Sequence, residues 1–258
     1  MRTLRIAAGI AALLAFGPAG CGDGGTGTAS PGGNASSATG TVTVFAAASL
    51  TESFTTIGKQ YEAAHPGSKV TFNFAGSAAL ATQIDQGAPA DVFASAAPKN
   101  MAAVADATAP VTFVKNQLVI AVAKGNPKRI AGLADLAEPG LKVALCAEAV
   151  PCGAAARTAL DTAGVKVTPV TLEQDVKAAL SKVKLGEVDA SLVYRTDAKA
   201  AAGDVDAVEF PESAKAINDY PIAVLKGAKN PTGARAFVDY VLSPDGVKVL
   251  TEAGFQAP

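Results

Sequence analysis

Two serines stand where strand-like runs give way to helix-like runs, and a hydroxyl beside a helix start is anion chemistry. Ser49 closes Val42-Thr43-Val44-Phe45-Ala46-Ala47-Ala48-Ser49-Leu50 and falls where an N-cap belongs, just ahead of a helical segment from Thr51 to Ala64. Ser77 follows the alternating run Thr71-Phe72-Asn73-Phe74-Ala75 and Gly76, and opens the helix-like Ala78-Ala79-Leu80-Ala81-Thr82-Gln83-Ile84. The first turn of a helix presents N–H groups with no intrahelical acceptor and a partial positive charge. Such a turn is a ready anion site. Neither turn carries Lys or Arg, so dipoles and hydroxyls would meet the ligand rather than a counter-charge. For either serine alone an ordinary N-cap is the alternative; the recurrence points to one shared pocket.

The same chemistry returns later in the chain. Val150-Pro151-Cys152-Gly153 precedes a helix over 154–163 and frees the N–H groups of Cys152 and Gly153. Thr171-Leu172-Glu173-Gln174-Asp175-Val176 begins another helix, with the Val176 N–H in or near its first turn. Val176 would act through its backbone alone. Leu192-Val193-Tyr194-Arg195-Thr196-Asp197-Ala198 is a strand end followed by a helix start. It sets the Tyr194 phenol at the carboxyl edge of a strand, where ligands of open α/β sheets bind.

Elements able to position these groups alternate from Thr41 onward. Strands are expected at 41–46, 69–74, 92–94, 118–123, 142–145, 190–193 and 222–224. Helices are expected at 50–64, 78–86, 99–105, 130–137, 154–163, 172–185, 196–201 and 231–242. That order is α/β with mixed, mostly parallel sheets. Two apolar strands flanked by breakers, one ending in Lys124-Gly125-Asn126-Pro127 and one entered through Tyr220-Pro221, read as crossings between lobes. They divide the chain into lobe one, 41–122 plus 221–258, and lobe two, 123–220, joined by a two-strand hinge with the ligand in the cleft.

Composition narrows the function classes. With 49% hydrophobic residues, 5% aromatics and no Trp, small aliphatic side chains must fill the core. Few rings and a formal charge of −1 argue against a nucleic-acid partner. Arg2, Arg5 and the apolar run to Phe16 make residues 1–20 a secretory signal peptide. Pro18-Ala19-Gly20-Cys21 resembles a lipobox, with Pro18 where that pattern prefers an aliphatic residue, and implies acylation of Cys21. Residues 21–40 then read as the lipidated cysteine and a flexible Gly/Ser/Thr-rich tether. In an exported chain the remaining pair, Cys146 and Cys152, is expected to form a disulfide, two buried thiols being the alternative. No metal site is expected, because those thiols lack further ligands and the sole His65 is distant.

Six segments, in order, resemble the periplasmic molybdate-binding proteins that feed ABC importers. They are Val44-Phe45-Ala46-Ala47-Ala48-Ser49-Leu50, Gly87-Ala88-Pro89-Ala90-Asp91-Val92-Phe93, Val150-Pro151-Cys152-Gly153, Glu173-Gln174-Asp175-Val176, Val193-Tyr194-Arg195-Thr196-Asp197-Ala198 and Tyr220-Pro221-Ile222-Ala223-Val224. The resemblance implies a type II binding-protein fold whose two lobes close on molybdate or tungstate. It implies Ser49 and Ser77 as ligands through hydroxyl and N–H, Cys152 and Val176 through N–H, and Tyr194 through its hydroxyl. Relatives commonly have Ala at the Cys152 position, a change that a backbone contact tolerates. The implied partners are a membrane permease and, through lipid alone, the outer face of the cell membrane. A monomer without cofactor is expected.

Two other classes compete. One is a binder of sulfate, thiosulfate or ferric iron on the same fold, and the isolated Tyr194 and remote His65 fit iron poorly. The other is an exported enzyme, for which no Ser-His-Asp, Cys-His or paired-carboxylate arrangement is evident. Asp91 reads as a turn brace, Glu173 and Asp175 as complements to a helix dipole, Arg195 as a surface or lobe-bracing residue, and Tyr61 and Tyr240 as packing residues.

Overall fold

The computed structural model describes residues 39–258. The expected signal peptide, the lipidation at Cys21 and all but the end of the tether lie outside the described residues. Gly40, read as tether, already belongs to the first strand, where its N–H donates to the Gly67 carbonyl at 2.8 Å.

Two five-stranded sheets form the frame. The first contains β1 (Gly40–Ala47), β2 (Ser68–Ala75), β3 (Val92–Ala94), β4 (Ala107–Asn116) and β10 (Asn218–Leu225), in the order β2-β1-β3-β10-β4. The second contains β5 (Leu118–Ala123), β6 (Val143–Cys146), β7 (Thr171–Glu173), β8 (Ala190–Tyr194) and β9 (Val205–Val208), in the order β7-β6-β8-β5-β9. Each sheet joins its first three strands in parallel and its last two antiparallel. The sheets are therefore mixed, with antiparallel pairing as prominent as parallel.

The chain passes between sheets at Gln117, between β4 and β5, and again between β9 and β10. The sequence reading put the first crossing at Ala123 and the second at Tyr220. The run Leu118–Ala123 is instead an inner strand of the second sheet, paired with β8 and β9, which explains its unbroken apolar character. Tyr220 lies within β10 of the first sheet.

Around the first sheet pack α1 (Thr51–Ala64), α2 (Ser77–Asp85), α3 (Pro98–Ala102), α7 (Pro231–Leu242) and α8 (Pro244–Ala253). Around the second pack α4 (Pro151–Ala163), α5 (Val176–Lys184) and α6 (Arg195–Ala200). The segment read as a helix over 130–137 is a 3-10 turn over Leu133–Ala137. The helix expected over 172–185 is split: Thr171–Glu173 is an edge strand beside β6, and the helix begins only at Val176.

The cores differ. In the first lobe Phe54 meets Phe72, Phe113 and Phe237 at ring-centroid distances of 6.2, 5.9 and 6.1 Å, and Tyr61 meets Phe237 and Tyr240 edge-on. The small-aliphatic core expected from composition is found in the second lobe, among Val119, Ala121, Ala144, Ala159, Ala179 and Leu192. Asp91 braces the first lobe by accepting the Thr43 N–H at 2.7 Å and the Asn230 N–H at 3.0 Å. His65 caps the end of α1, stacked on Tyr61 at 4.3 Å.

Candidate anion-binding site

One small pocket is walled by the starts of successive helical segments. Ala48 and Ser49 come from a 3-10 turn leading into α1, and Gly76 and Ser77 from the start of α2. Pro151 and Cys152 come from the start of α4, Asp175 and Val176 from the start of α5, and Tyr194 is the N-cap of α6. Ser49, Ser77, Cys152, Val176 and Tyr194 are all buried. The cavity is about 10 Å³, about the space of one water molecule and far below the roughly 300–1,000 Å³ of an organic-ligand pocket.

Every residue expected at the site lines this pocket, but Ser49 gets there by a different local route. It is not the N-cap of α1; that position is Leu50, with no side-chain cap. Ser49 sits inside the 3-10 turn Ala48–Leu50, and its Oγ lies 2.9 Å from Tyr220 Oη. Ser77 occupies the first helical position after Gly76, and its Oγ accepts the Ala96 N–H at 2.9 Å. Its own proton is thus left to donate.

Across the cleft, Pro151 has no N–H to lose at the first position of α4, so the first donors there are Cys152 and Gly153. Cys146 and Cys152 are disulfide-bonded with a Cα–Cα distance of 5.8 Å, tying the end of β6 to this turn. Gly153 is required by close approach: a Cβ there would meet the Ala147 carbonyl oxygen at 2.0 Å. Removing the disulfide by Cys146→Ser with Cys152→Ser is expected to lower unfolding stability by about 2 kcal/mol, because the bond closes a short loop. Urea denaturation of the two proteins measures this, and equal midpoints would refute it.

Asp175 also lines the pocket, with its Oδ1 engaged by the Ala178 N–H at 2.9 Å. That cap replaces the dipole role expected for Glu173 and Asp175 together; Glu173 lies in β7 and accepts from Thr171 Oγ1. Tyr194 Oη is buried and has no hydrogen-bond partner among the described residues. Burial, with Tyr220 and Asp197 nearby, raises its pKa well above the ordinary phenol value, so it is a neutral donor.

Lys177, one residue past Val176, was not anticipated. Its Nζ lies 2.7 Å from Glu52 Oε1 on α1 and 3.0 Å from Asp197 Oδ1 on α6, so one ammonium joins the two lobes. Burial works to lower its pKa, and the two carboxylates outweigh that and raise it. Two carboxylates hold this cation, and no Lys or Arg lines the pocket. Arg195 braces the second lobe through Glu209 at 2.9 and 2.8 Å.

The Asp197 carboxyl is pushed up to about 6 by burial, against the pull of Lys177. The folded protein therefore holds this proton more tightly than the unfolded chain does. Its stabilising contribution is full below the ordinary value of 3.8 and is lost as pH rises through about 6. The stability of wild type relative to Asp197→Asn is thus expected to increase as pH falls from 7 to 4. Urea titrations across that range test it, and a difference that is flat or decreases on acidification refutes it.

A family profile described as bacterial extracellular solute-binding protein matches residues 42–256. The molybdate-binding protein ModA of Mycobacterium tuberculosis strain H37Rv is 45% identical over 263 residues, spanning 100% of both chains. Among solved structures, the substrate-binding domain of a putative molybdenum ABC transporter from Clostridium difficile superposes with a TM-score of 0.63 at 29% identity, over 84% of this chain and 99% of that one. The periplasmic molybdate-binding protein of Azotobacter vinelandii superposes with a TM-score of 0.74 at 21% identity, again over 84% and 99%, a likeness of fold. With nearly the whole described chain covered by the profile, this protein belongs to the bacterial extracellular solute-binding protein family.

Proposed function

We propose that this chain captures molybdate, or tungstate, between its two lobes and delivers it to an ABC permease. The observation that carries this reading is the convergence of helix starts and the hydroxyls of Ser49, Ser77 and Tyr194 on one buried pocket between the lobes. A tetrahedral dianion has only acceptor oxygens, and charge-assisted hydrogen bonds from such donors can satisfy all of them. Monohydrogen phosphate would bring a proton that needs an acceptor. Ser77 Oγ and the Asp175 carboxylate each take one backbone N–H and keep lone pairs to spare, so discrimination against phosphate is a question for titration. The molybdate-binding name of the Mycobacterium tuberculosis relative and the molybdenum-transporter name of the Clostridium difficile structure support the choice of anion.

Ser49 and Ser77 bind through hydroxyl and N–H, Cys152 and Val176 through N–H, and Tyr194 through its phenol. The ligand favours the closed arrangement by touching both lobes, and the closed form is what the permease recognises. The protein binds and releases its ligand unchanged, with no catalysis and no cofactor. It acts as an exported monomer held by lipid at Cys21 on the outer face of the cell membrane.

Sulfate has the same charge and shape and is smaller, so cavity size must reject it. A thermal-shift series on the full chain with molybdate, tungstate, sulfate, thiosulfate and phosphate tests the reading, since a ligand that binds only the folded state raises the midpoint. Large shifts with molybdate and tungstate and little with sulfate are expected. An equal shift with sulfate would move the function to sulfur oxyanions; no shift with any of them would overturn it.

A further inference from the structure

The Ser49 hydroxyl can serve an anion only if its proton points at the ligand. A hydroxyl turned the other way would present lone pairs to a dianion. Which way it turns is decided behind it, in a buried polar chain at the hinge.

The chain begins at Asn116, the last residue of β4, where the backbone is about to cross to the second sheet. Asn116 Oδ1 accepts the Gln117 N–H at 3.0 Å, which fixes the orientation of the side-chain amide. Its Nδ2, a donor only, then faces Thr196 Oγ1 at 2.8 Å and Tyr220 Oη at 3.4 Å. Tyr220 Oη thus accepts from Asn116; Ser49 Oγ lies 2.9 Å from it, in a contact where either hydroxyl can donate, and the accepted Asn116 bond favours Tyr220 as the donor. Having accepted, Ser49 must send its own proton elsewhere, and the pocket it lines is the open direction. Tyr220 is fully buried and Asn116 nearly so, so water does not compete for these bonds. Burial also keeps the Tyr220 phenol protonated.

We propose that Asn116 and Tyr220 are positioning residues that set the direction of the Ser49 hydroxyl, committing it as a donor to the bound oxyanion. The proposal rests on the anion-site reading above and extends it to two hinge residues that do not line the pocket. They lie on β4 and β10, the strands that flank the two crossings. Asn116 also holds Thr196 of the second lobe, so the arrangement that points the Ser49 proton belongs to the lobe geometry described here.

A double-mutant cycle on molybdate affinity, measured by titration calorimetry on the full chain, tests this. Tyr220→Phe keeps the ring packed edge-on against Tyr194 and Phe255, at 5.9 and 5.5 Å, and removes only the hydroxyl. Ser49→Ala is expected to weaken binding roughly 10- to 100-fold, and Tyr220→Phe alone roughly three- to tenfold. In the Ser49→Ala background, Tyr220→Phe should change affinity by less than about twofold. Asn116→Ala in place of Tyr220→Phe should give the same dependence on Ser49, which keeps the test open should one variant fold poorly. Ligand-free melting curves report folding for each protein.

Equal losses from Tyr220→Phe in both backgrounds would overturn the proposal, because a purely structural defect does not depend on Ser49. No loss in the wild-type background would overturn it as well. If Ser49→Ala binds as wild type does, the site reading itself fails, an outcome distinct from the other two.

Discussion

Gly76→Ala is expected to abolish tight molybdate binding, with a loss of more than about 100-fold, while leaving the fold intact. Gly76 caps α2 with ordinary extended backbone angles, so alanine brings no conformational strain there. What it brings is a methyl group 2.2 Å from the Gln174 carbonyl oxygen and 3.3 Å from Val150 Cγ1, both in the opposite lobe. The carbonyl is backbone and cannot swing aside as a flexible side chain would. The lobes must then part by an ångström or more, and donors from the two halves no longer reach one ion together. Displacements of that size in a hydrogen-bonded site are costly, since charge-assisted bonds depend steeply on distance. Titration calorimetry checks the affinity. Small-angle scattering with saturating molybdate should show the wild type compact and the variant extended. Wild-type affinity in the variant would mean that the lobes close without this contact.

Tyr194→Phe is expected to move two quantities in opposite directions. Its hydroxyl is buried with no partner among the described residues, and a buried unsatisfied polar group costs about 1–3 kcal/mol. Removing it should therefore raise the melting temperature of the ligand-free protein. The same hydroxyl lines the ion pocket, so its loss should weaken molybdate binding by roughly 10- to 100-fold, the range for a hydrogen bond to a charged group. A structural tyrosine would give lower stability together with weaker binding. Scanning calorimetry with and without molybdate separates the cases, and a lower ligand-free midpoint would refute the assignment.

The donor pocket was legible because its parts are local. A strand followed by a small residue, a hydroxyl and a helical run is a pattern within ten residues of chain, and the pocket draws on several such patterns. The hinge chemistry was not legible, because Ser49 meets Tyr220 across 171 residues and Lys177 meets Glu52 across 125. Nothing in either neighbourhood names the other. Among the elements, β4 escaped because it is a largely exposed edge strand with Pro110 inside it and Ala109 at positive φ. The strand Thr171–Glu173 is three residues long, too short for an alternation to register. The helix α8 had its signals in place, Ser243 as N-cap and Pro244 at the first position. It was nonetheless absent from the expected helices, and Gly246 stands in its first turn because a Cβ would meet the Tyr240 and Val241 carbonyl oxygens at 2.4 Å. The shared strand order of the two sheets has no counterpart in a visible sequence repeat.

The placement of the tyrosines has an optical consequence. The chain has no tryptophan and four tyrosines, so its intrinsic emission is dominated by phenols. Two of them, Tyr61 and Tyr240, are packed together in the first lobe away from the ligand pocket. The other two, Tyr194 and Tyr220, meet edge-on at 5.9 Å, one lining the pocket and the other bonded to Ser49. Half of the chain's tyrosines therefore sit at the cleft. Filling or emptying it should register in unlabelled protein as a change in tyrosine fluorescence, with Tyr61 and Tyr240 as a constant background.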